Sequence, residues 1–230
     1  MQRRILSFMN SHGHPAFPGF LKALGTDPVL YDAFFKHLTI NVSQFFRDPN
    51  QWTTLRETIL PLLLQSKKPL KLWSAGCSSG QEPYSLAMTM MDYFPTARFT
   101  VLGSDIDVNV LKQAAQGLYK QNDLASTAPK VLQKYFTPLD STYQIKDSVK
   151  KQVTFQPQNL LTDRFQAGYD FIACRNVVIY FTDEAKEILY KKFTDSLRPG
   201  GILFTGSTEH LFGMSQLGLK SISSFFYQKQ

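Results

Sequence analysis

The sequence predicts an α/β fold: a mostly parallel sheet with helices on both faces, a small antiparallel hairpin and an N-terminal helical segment. Three observations lead there. From Lys71 onward, short apolar runs alternate with helical stretches, the pattern that builds parallel sheets. Before that point the apolar residues recur at three- and four-residue spacing, which is helical. The composition is that of an ordinary globular chain, 230 residues with 43% hydrophobic and 19% charged, enough for one main domain with a small attachment.

Taken in order, Pro15, Pro18 and Pro28 break the first stretch into short helices. LYDAFFKHLTI and WTTLRETILPLLLQ then carry the helical period, and SKKP at Ser66–Pro69 reads as a linker. The expected division is a helical segment over 1–65 and a ligand-binding domain over 66–230. In the second part KLWSA is a strand, followed by a Gly/Ser turn and the helical EPYSLAMTMMDYF. RFTVLGSD is a second strand and DVNVLKQAAQGLY a helix closed by Gly117. YDFIACRN, GILFTGS and SSFFYQKQ are further strands, and DEAKEILYKKFTDSL is an amphipathic helix ended by RPGG. Between about 135 and 156, TYQI and KKQVTFQ alternate polar and apolar around KDSV, which predicts a hairpin with its turn there.

The bulk properties exclude several classes. No apolar run is long enough to span a bilayer, and MQRRILSFMNSHGHP lacks the apolar core of a signal peptide, so a cytoplasmic protein is expected. Cys77 and Cys174 stand apart, outside any CxxC or Cys/His cluster, and His12 and His14 have no acidic or cysteine neighbours; no metal site is expected. The net charge is +7, and residues 1–71 carry nine Lys/Arg against four Asp/Glu. A basic N-terminal part suits an acidic partner surface, and equally suits solubility alone.

In an open α/β sheet, ligands sit beyond the carboxyl ends of the strands. The residues expected there are Gly76 and Gly80 after the first strand, Asp105 and Asp107 after the second, Asn159 after the hairpin, and Arg175 and Asn176 after the next strand. The glycines let the backbone turn tightly and approach a ligand. Asp105 follows Gly80 by 25 residues, about the spacing of a ribose-binding acid. The loop has neither GxGxxG nor GxxxxGK[ST]. Glu82 stands instead at the helix start, where it would repel a pyrophosphate but suit a ligand with a cationic centre. S-adenosylmethionine, with a sulfonium, an amino group, a ribose and an adenine, is such a ligand. Taken singly, each acid also reads as a helix cap or dipole partner.

LWSAGCSSGQEPYSLAM, GSDIDVNVLKQAAQGLY, FIACRNVVIYF and PGGILFTGSTEHL, together with NVSQFFRDPNQW, resemble the bacterial chemotaxis receptor methyltransferases, the CheR family. The similarity runs from about Leu38 to the C-terminus, with five motifs in the same order. The resemblance implies a Rossmann-like class I S-adenosylmethionine-dependent methyltransferase sheet. It implies methyl transfer to glutamates on the helical cytoplasmic domain of methyl-accepting chemotaxis receptors, giving glutamate methyl esters and S-adenosylhomocysteine. By the same resemblance, Asn41, Ser43 and Arg47 of NVSQFFRD contact the cofactor, Glu82 takes its amino group and Asp105 its ribose. Asn159 and Leu160 match the adenine-side pair, Arg175 and Asn176 lie in the CRNV loop, and Tyr180 is the tyrosine near the reacting methyl.

Two departures shape the expectation. Only about the last third to half of the family's N-terminal helical domain is matched, and Arg3 and Arg4 are the candidates for its basic receptor-facing surface. Members that bind a receptor's C-terminal pentapeptide tether have a glycine-rich hairpin loop, whereas LDSTYQIKDSVKKQVTF has no glycine; tether-independent action is expected. A glutamate, with a pKa of about 4.3, is already an anion near neutral pH and needs no general base to attack a methyl sulfonium. Alignment against an aromatic wall is then the enzyme's main task, with Tyr180 and Phe45 or Phe46 as the wall. The rivals are a non-catalytic S-adenosylmethionine-binding regulator and a nucleic-acid methyltransferase. The chain has no NPPY-type motif and no basic aromatic stripe for a flipped base, so no nucleic-acid partner is expected. A monomer is the default.

Overall fold

The computed structural model describes residues 2–38, 43–209, 211 and 213–230. It divides into two compact units, 1–42 and 43–230. In the first, α1 (Gln2–Ser11), α2 (Phe17–Thr26) and α3 (Pro28–Leu38) pack around Phe8, Met9 and Phe20. Asp27 accepts from the amides of Val29 and Leu30, which starts α3 just after Pro28.

The second unit opens with α4 (Pro49–Thr54), which runs through a π-helical turn at Leu55–Ile59 into α5 (Leu60–Leu64). There follow β1 (Leu70–Ala75), α6 (Gln81–Tyr93), β2 (Phe99–Asp105), α7 (Val108–Gln116), β3 (Leu118–Lys120), α8 (Pro129–Tyr135), β4 (Phe136–Leu139), β5 (Thr142–Ile145), α9 (Asp147–Lys150) and β6 (Val153–Pro157). The chain ends with β7 (Tyr169–Cys174), α10 (Asp183–Ser196), β8 (Leu197–Thr205), β9 (Leu219–Ser223) and β10 (Phe226–Lys229).

Seven strands form one sheet in the order β6-β2-β1-β7-β8-β10-β9. The first five are parallel, and β10 is antiparallel to both its neighbours. The strand order reverses at β1, with β2 on one side and β7 on the other, which makes the carboxyl end of β1 the switch point where such sheets bind ligands. The two-residue strand period divides the core. Leu70 and Leu72 of β1 join the cluster with α4, α5 and α6, while Trp73 and Ala75 join Leu189 and Phe193 of α10 on the other face.

Two expectations need correction. The division falls at residue 42 rather than 65, because Phe45, Trp52, Leu55, Ile59, Leu60 and Leu63 are buried in the main core. The hairpin also forms one strand earlier than its sequence suggests. β5 pairs with β4, Leu139 opposite Thr142, so the turn is at Asp140–Ser141 and not at KDSV. KDSV instead caps and begins the short helix α9, with Lys146 at its N-cap, and Val153–Pro157 leaves the hairpin to pair in parallel with β2. Val153 is buried there against the main core, which the hairpin could not offer. Among the described residues no helix is long and apolar enough to cross a membrane.

Candidate active site

The site starts with the turn after β1. Gly76 adopts φ +74°, and its amide and that of Cys77 donate to the Ser104 carbonyl at 2.8 and 2.9 Å, tying the turn to β2. A Cβ on Gly76 would lie 2.5 Å from Val177 Cγ2, so the turn also packs directly on the loop after β7. Gly80 adopts φ +91° and begins α6. Glu82, in the first turn of that helix, accepts from Ser74 Oγ at 2.8 Å and pairs with Arg175 Nη1 at 3.3 Å. Its carboxylate is thereby drawn back over the end of β1, where it can meet a ligand's cationic group.

Asp105, the last residue of β2, accepts from the Ser78 amide at 2.8 Å and the Asp107 amide at 3.0 Å. Burial lifts its carboxyl above the ordinary aspartate value, an effect the backbone donors oppose. Asp107 does a different job, capping α7 through the amides of Asn109 and Val110. The Asp105 carbonyl accepts from the Gln158 amide at 2.9 Å, which brings Asn159 and Leu160 to the same edge. There the Asn159 carboxamide is used locally, accepting from Leu161 at 3.0 Å, and Leu160 is buried.

Arg175 is the hub. Its Nη2 reaches Asp48 Oδ2 at 2.6 Å, Gln51 Oε1 at 2.9 Å and the Arg47 carbonyl at 3.2 Å, and the guanidinium lies 4.6 Å over the Phe204 ring. Its side chain is only 3% exposed, enclosed among these partners. Arg47 itself sits between Phe46 and Asp48, two non-glycine residues at φ +51° and +61°. Such conformations persist only when the surroundings enforce them. Here the Trp52 indole also holds the Arg47 carbonyl, at 2.9 Å, and Ser85 Oγ holds the Phe46 amide at 3.1 Å. Among the described residues the half-buried Arg47 guanidinium has no hydrogen-bond partner.

Asn176 takes φ +59° and leads into a one-turn helix, Val178–Tyr180. Tyr180 is 40% exposed. The sequence reading missed the group that shapes this loop: the buried Glu209, whose carboxylate accepts from the amides of Asn176, Val177 and Val178. Its sequence signal is its place in the PGGILFTGSTEHL motif, to which no role was given. Ser43 is half-buried, Phe45 is fully buried in the core and Phe46 partly so. Asn41 lies outside the described residues. Cys77 and Cys174 are free and buried, and burial pushes both thiols up, which makes them poor nucleophiles.

The residues fit S-adenosylmethionine. Among the described residues, Ser78 Oγ and Gln158 Oε1 are buried at these strand ends without a hydrogen-bond partner. Two carboxylates, Glu82 and Asp105, flank the turn, matching an amino group and a ribose diol, and the glycine at 76 keeps the backbone bare where a ligand approaches.

Comparison with known proteins agrees. Residues 41–224 match the family model described as "CheR methyltransferase, SAM binding domain". The chain is 43% identical over 230 residues to a chemotaxis protein methyltransferase of Listeria monocytogenes, covering all of this chain and 88% of that one. It is 35% identical over 217 residues to the Escherichia coli chemotaxis protein methyltransferase, covering 90% of this chain and 74% of that one. A solved magnesium protoporphyrin IX methyltransferase from Synechocystis, with bound SAM, is 18% identical over 88% of this chain and 82% of that one, at a TM-score of 0.44; the fold assignment rests on the strand order rather than on that likeness. With the family model covering most of its length and full-length relatives above 40% identity, the chain belongs to the CheR family of S-adenosylmethionine-dependent chemotaxis methyltransferases.

Proposed function

We propose that the chain methylates glutamate side chains on the helical cytoplasmic domain of chemotaxis receptors, as a monomer in the cytoplasm and without a C-terminal tether. One observation carries the reading: Arg175 joins the Glu82 carboxylate to the turn that presents Arg47, while Asp105 at the end of the next strand holds the turn after β1 through Ser78. That arrangement suits holding a cofactor and an anionic acceptor together, and it does not require a general base.

When bound, S-adenosylmethionine supplies a methyl group on a sulfonium. Glu82 takes the amino group, Asp105 the ribose hydroxyls, and Asn159 with Leu160 the adenine side. Asn41 and Ser43 keep the cofactor contacts that the family resemblance assigns, and Gly76 and Asn176 give the backbone its close approach. Arg175 serves the cofactor through Glu82 and the Arg47 turn, since its own guanidinium is enclosed. Arg47, whose guanidinium has no hydrogen-bond partner among the described residues, steers the acceptor carboxylate or holds the cofactor's own. Tyr180 donates to one oxygen of the acceptor while the other attacks. Charge is lost in this step, so the partly dry wall of Tyr180 and Phe46 favours it. Tether independence is supported by the tight turn at Asp140–Ser141, with no glycine from Leu139 to Phe155.

The test is tritiated methyl transfer to receptor-containing membranes, followed by mild alkali. Label released as methanol is the expected result, because carboxyl methyl esters hydrolyse there. Label that survives alkali, or that goes to nucleic acid, would overturn the glutamate reading. Cofactor binding without any transfer would favour a regulator instead.

A further inference from the structure

We propose that Glu209 is a positioning residue for methyl transfer, setting the shape of the loop that carries Asn176 and Tyr180. The inference rests on the active-site reading above and extends it to a residue outside that set. Glu209 is 3% exposed. Its Oε2 accepts from the amides of Asn176 at 2.9 Å and Gly206 at 2.7 Å. Its Oε1 accepts from Val177 at 2.8 Å and Val178 at 3.0 Å. One carboxylate therefore joins the ends of β7 and β8 through four backbone donors.

The chemistry of those donors explains why an acid is needed. Three successive amides, Asn176 to Val178, point the same way only because Asn176 is left-handed, and an ionised carboxylate offers acceptors alone. A glutamine would turn its NH2 toward two of the four N–H groups. The space is also closed: a Cβ on Gly206 would lie 2.6 Å from Glu209 Oε2 and 3.0 Å from the Asn176 amide. The loop so fixed begins the single helical turn ending at Tyr180, and Val177 from the same loop packs on Gly76. A small error there displaces the aromatic wall while Glu82 and Asp105, on α6 and β2, stay in place.

The experiment compares Glu209→Gln and Glu209→Asp with Met90→Ala, a core change at the far end of α6 that serves as a stability control. Cofactor affinity, kcat and amide hydrogen exchange are measured on each. The expected result for Glu209→Gln is a kcat lower by about tenfold or more, with a clearly smaller loss of cofactor affinity arising through the Asn176 backbone and the Val177 contact with Gly76. Exchange should quicken at Asn176, Val177, Val178 and Gly206. Glu209→Asp keeps two acceptor oxygens, should recover part of the rate, and serves as the reporter if Glu209→Gln does not fold. A kcat no lower than that of Met90→Ala, a parallel loss of affinity and rate, or unchanged exchange at the four amides would each overturn the proposal. If the wild-type protein itself labels no receptor, it is the acceptor reading that has failed, and the exchange pattern, which needs no acceptor, then decides the role of Glu209.

Discussion

Arg175 and Asp48 are 127 residues apart in sequence and 2.6 Å apart in space. The same guanidinium holds Glu82, so one buried cation fixes both the cofactor acid and the Arg47 turn. Removing it leaves the Glu82 and Asp48 carboxylates without their cation, although Ser74 still donates to Glu82 and Trp52 to the Arg47 carbonyl. Arg175→Met should lower the unfolding free energy by about 3 kcal/mol, as breaking an enclosed ion pair from one side does. It should also weaken cofactor binding at least about tenfold, a loss of roughly 1.4 kcal/mol. Denaturant titration and cofactor calorimetry check the two parts. Arg175→Lys keeps the charge but replaces the planar fork that spans four acceptors with a point charge of three donors, and should recover little.

Asp105 gives the site a pH signature. Its raised value means that the folded chain binds the proton more tightly than the unfolded chain does. Its contribution to stability is therefore fully present below the ordinary aspartate value and is lost as pH rises through the raised one. Cofactor affinity should move the opposite way over the same acidic window, because ribose hydroxyls donate best to the ionised carboxylate. Melting curves against pH, with and without S-adenosylhomocysteine, give both trends. If Asp105→Asn showed the same pH dependence of affinity as the wild type, the ribose assignment would fail.

How much of this was legible in the sequence follows from the range of the forces involved. Five strands of the main sheet, β1, β2, β7, β8 and β10, were visible because each is a short apolar run beside a turn signal, and Glu82 and Asp105 because they stand next to those turns; β9, with its polar LKSIS, was not read, and β6 was assigned to the hairpin. The hairpin was misread because TYQI has alternating partners on both sides. The choice of FTPL was made by Phe136 and Ile145, which pair and are both buried in the main core. The boundary at 65 was misplaced for a like reason: a linker-like SKKP says nothing about which core the preceding helix enters. Arg175 was recognised, but its partners Asp48, Gln51 and Glu82 lie 93 to 127 residues away and carry no local pattern. Glu209 was missed altogether, since its partners are backbone amides, which no side-chain motif records.

Arg47 is expected to separate binding from turnover. Its backbone is clamped by Trp52 and Arg175, so Arg47→Ala leaves the turn intact and should change stability by no more than about 0.5 kcal/mol. The loss should fall on kcat/KM, by about a hundredfold, if a charge-assisted bond to the acceptor or cofactor disappears. Retention of both cofactor affinity and turnover would end its assignment.

Tyr180 is exposed enough that its hydroxyl has no packing role, so Tyr180→Phe should unfold at the wild-type temperature. Removing one orienting hydrogen bond should lower kcat about tenfold, the equivalent of roughly 1.4 kcal/mol. Steady-state methyl transfer at saturating cofactor reads this directly, and an unchanged rate would show that the tyrosine contributes only its ring.

The turn after β1 packs on the loop after β7 at Gly76 and Val177, and that packing can be tested by a pair of substitutions. Gly76→Ala has two separate costs. The residue must hold φ +74°, which costs an L side chain about 1 kcal/mol, and its methyl would lie 2.5 Å from Val177 Cγ2. Val177→Ala removes the methyl groups that collide and leaves the backbone penalty alone. The single Gly76→Ala change should therefore destabilise by about 2–4 kcal/mol and weaken cofactor binding strongly. Adding Val177→Ala should return all but about 1 kcal/mol of the Gly76→Ala loss, although Val177→Ala by itself destabilises. Denaturation of the four proteins in the cycle supplies the coupling. Strict additivity would mean that the turn after β1 and the loop after β7 are not in contact, and the site as described would have to be rebuilt without that contact.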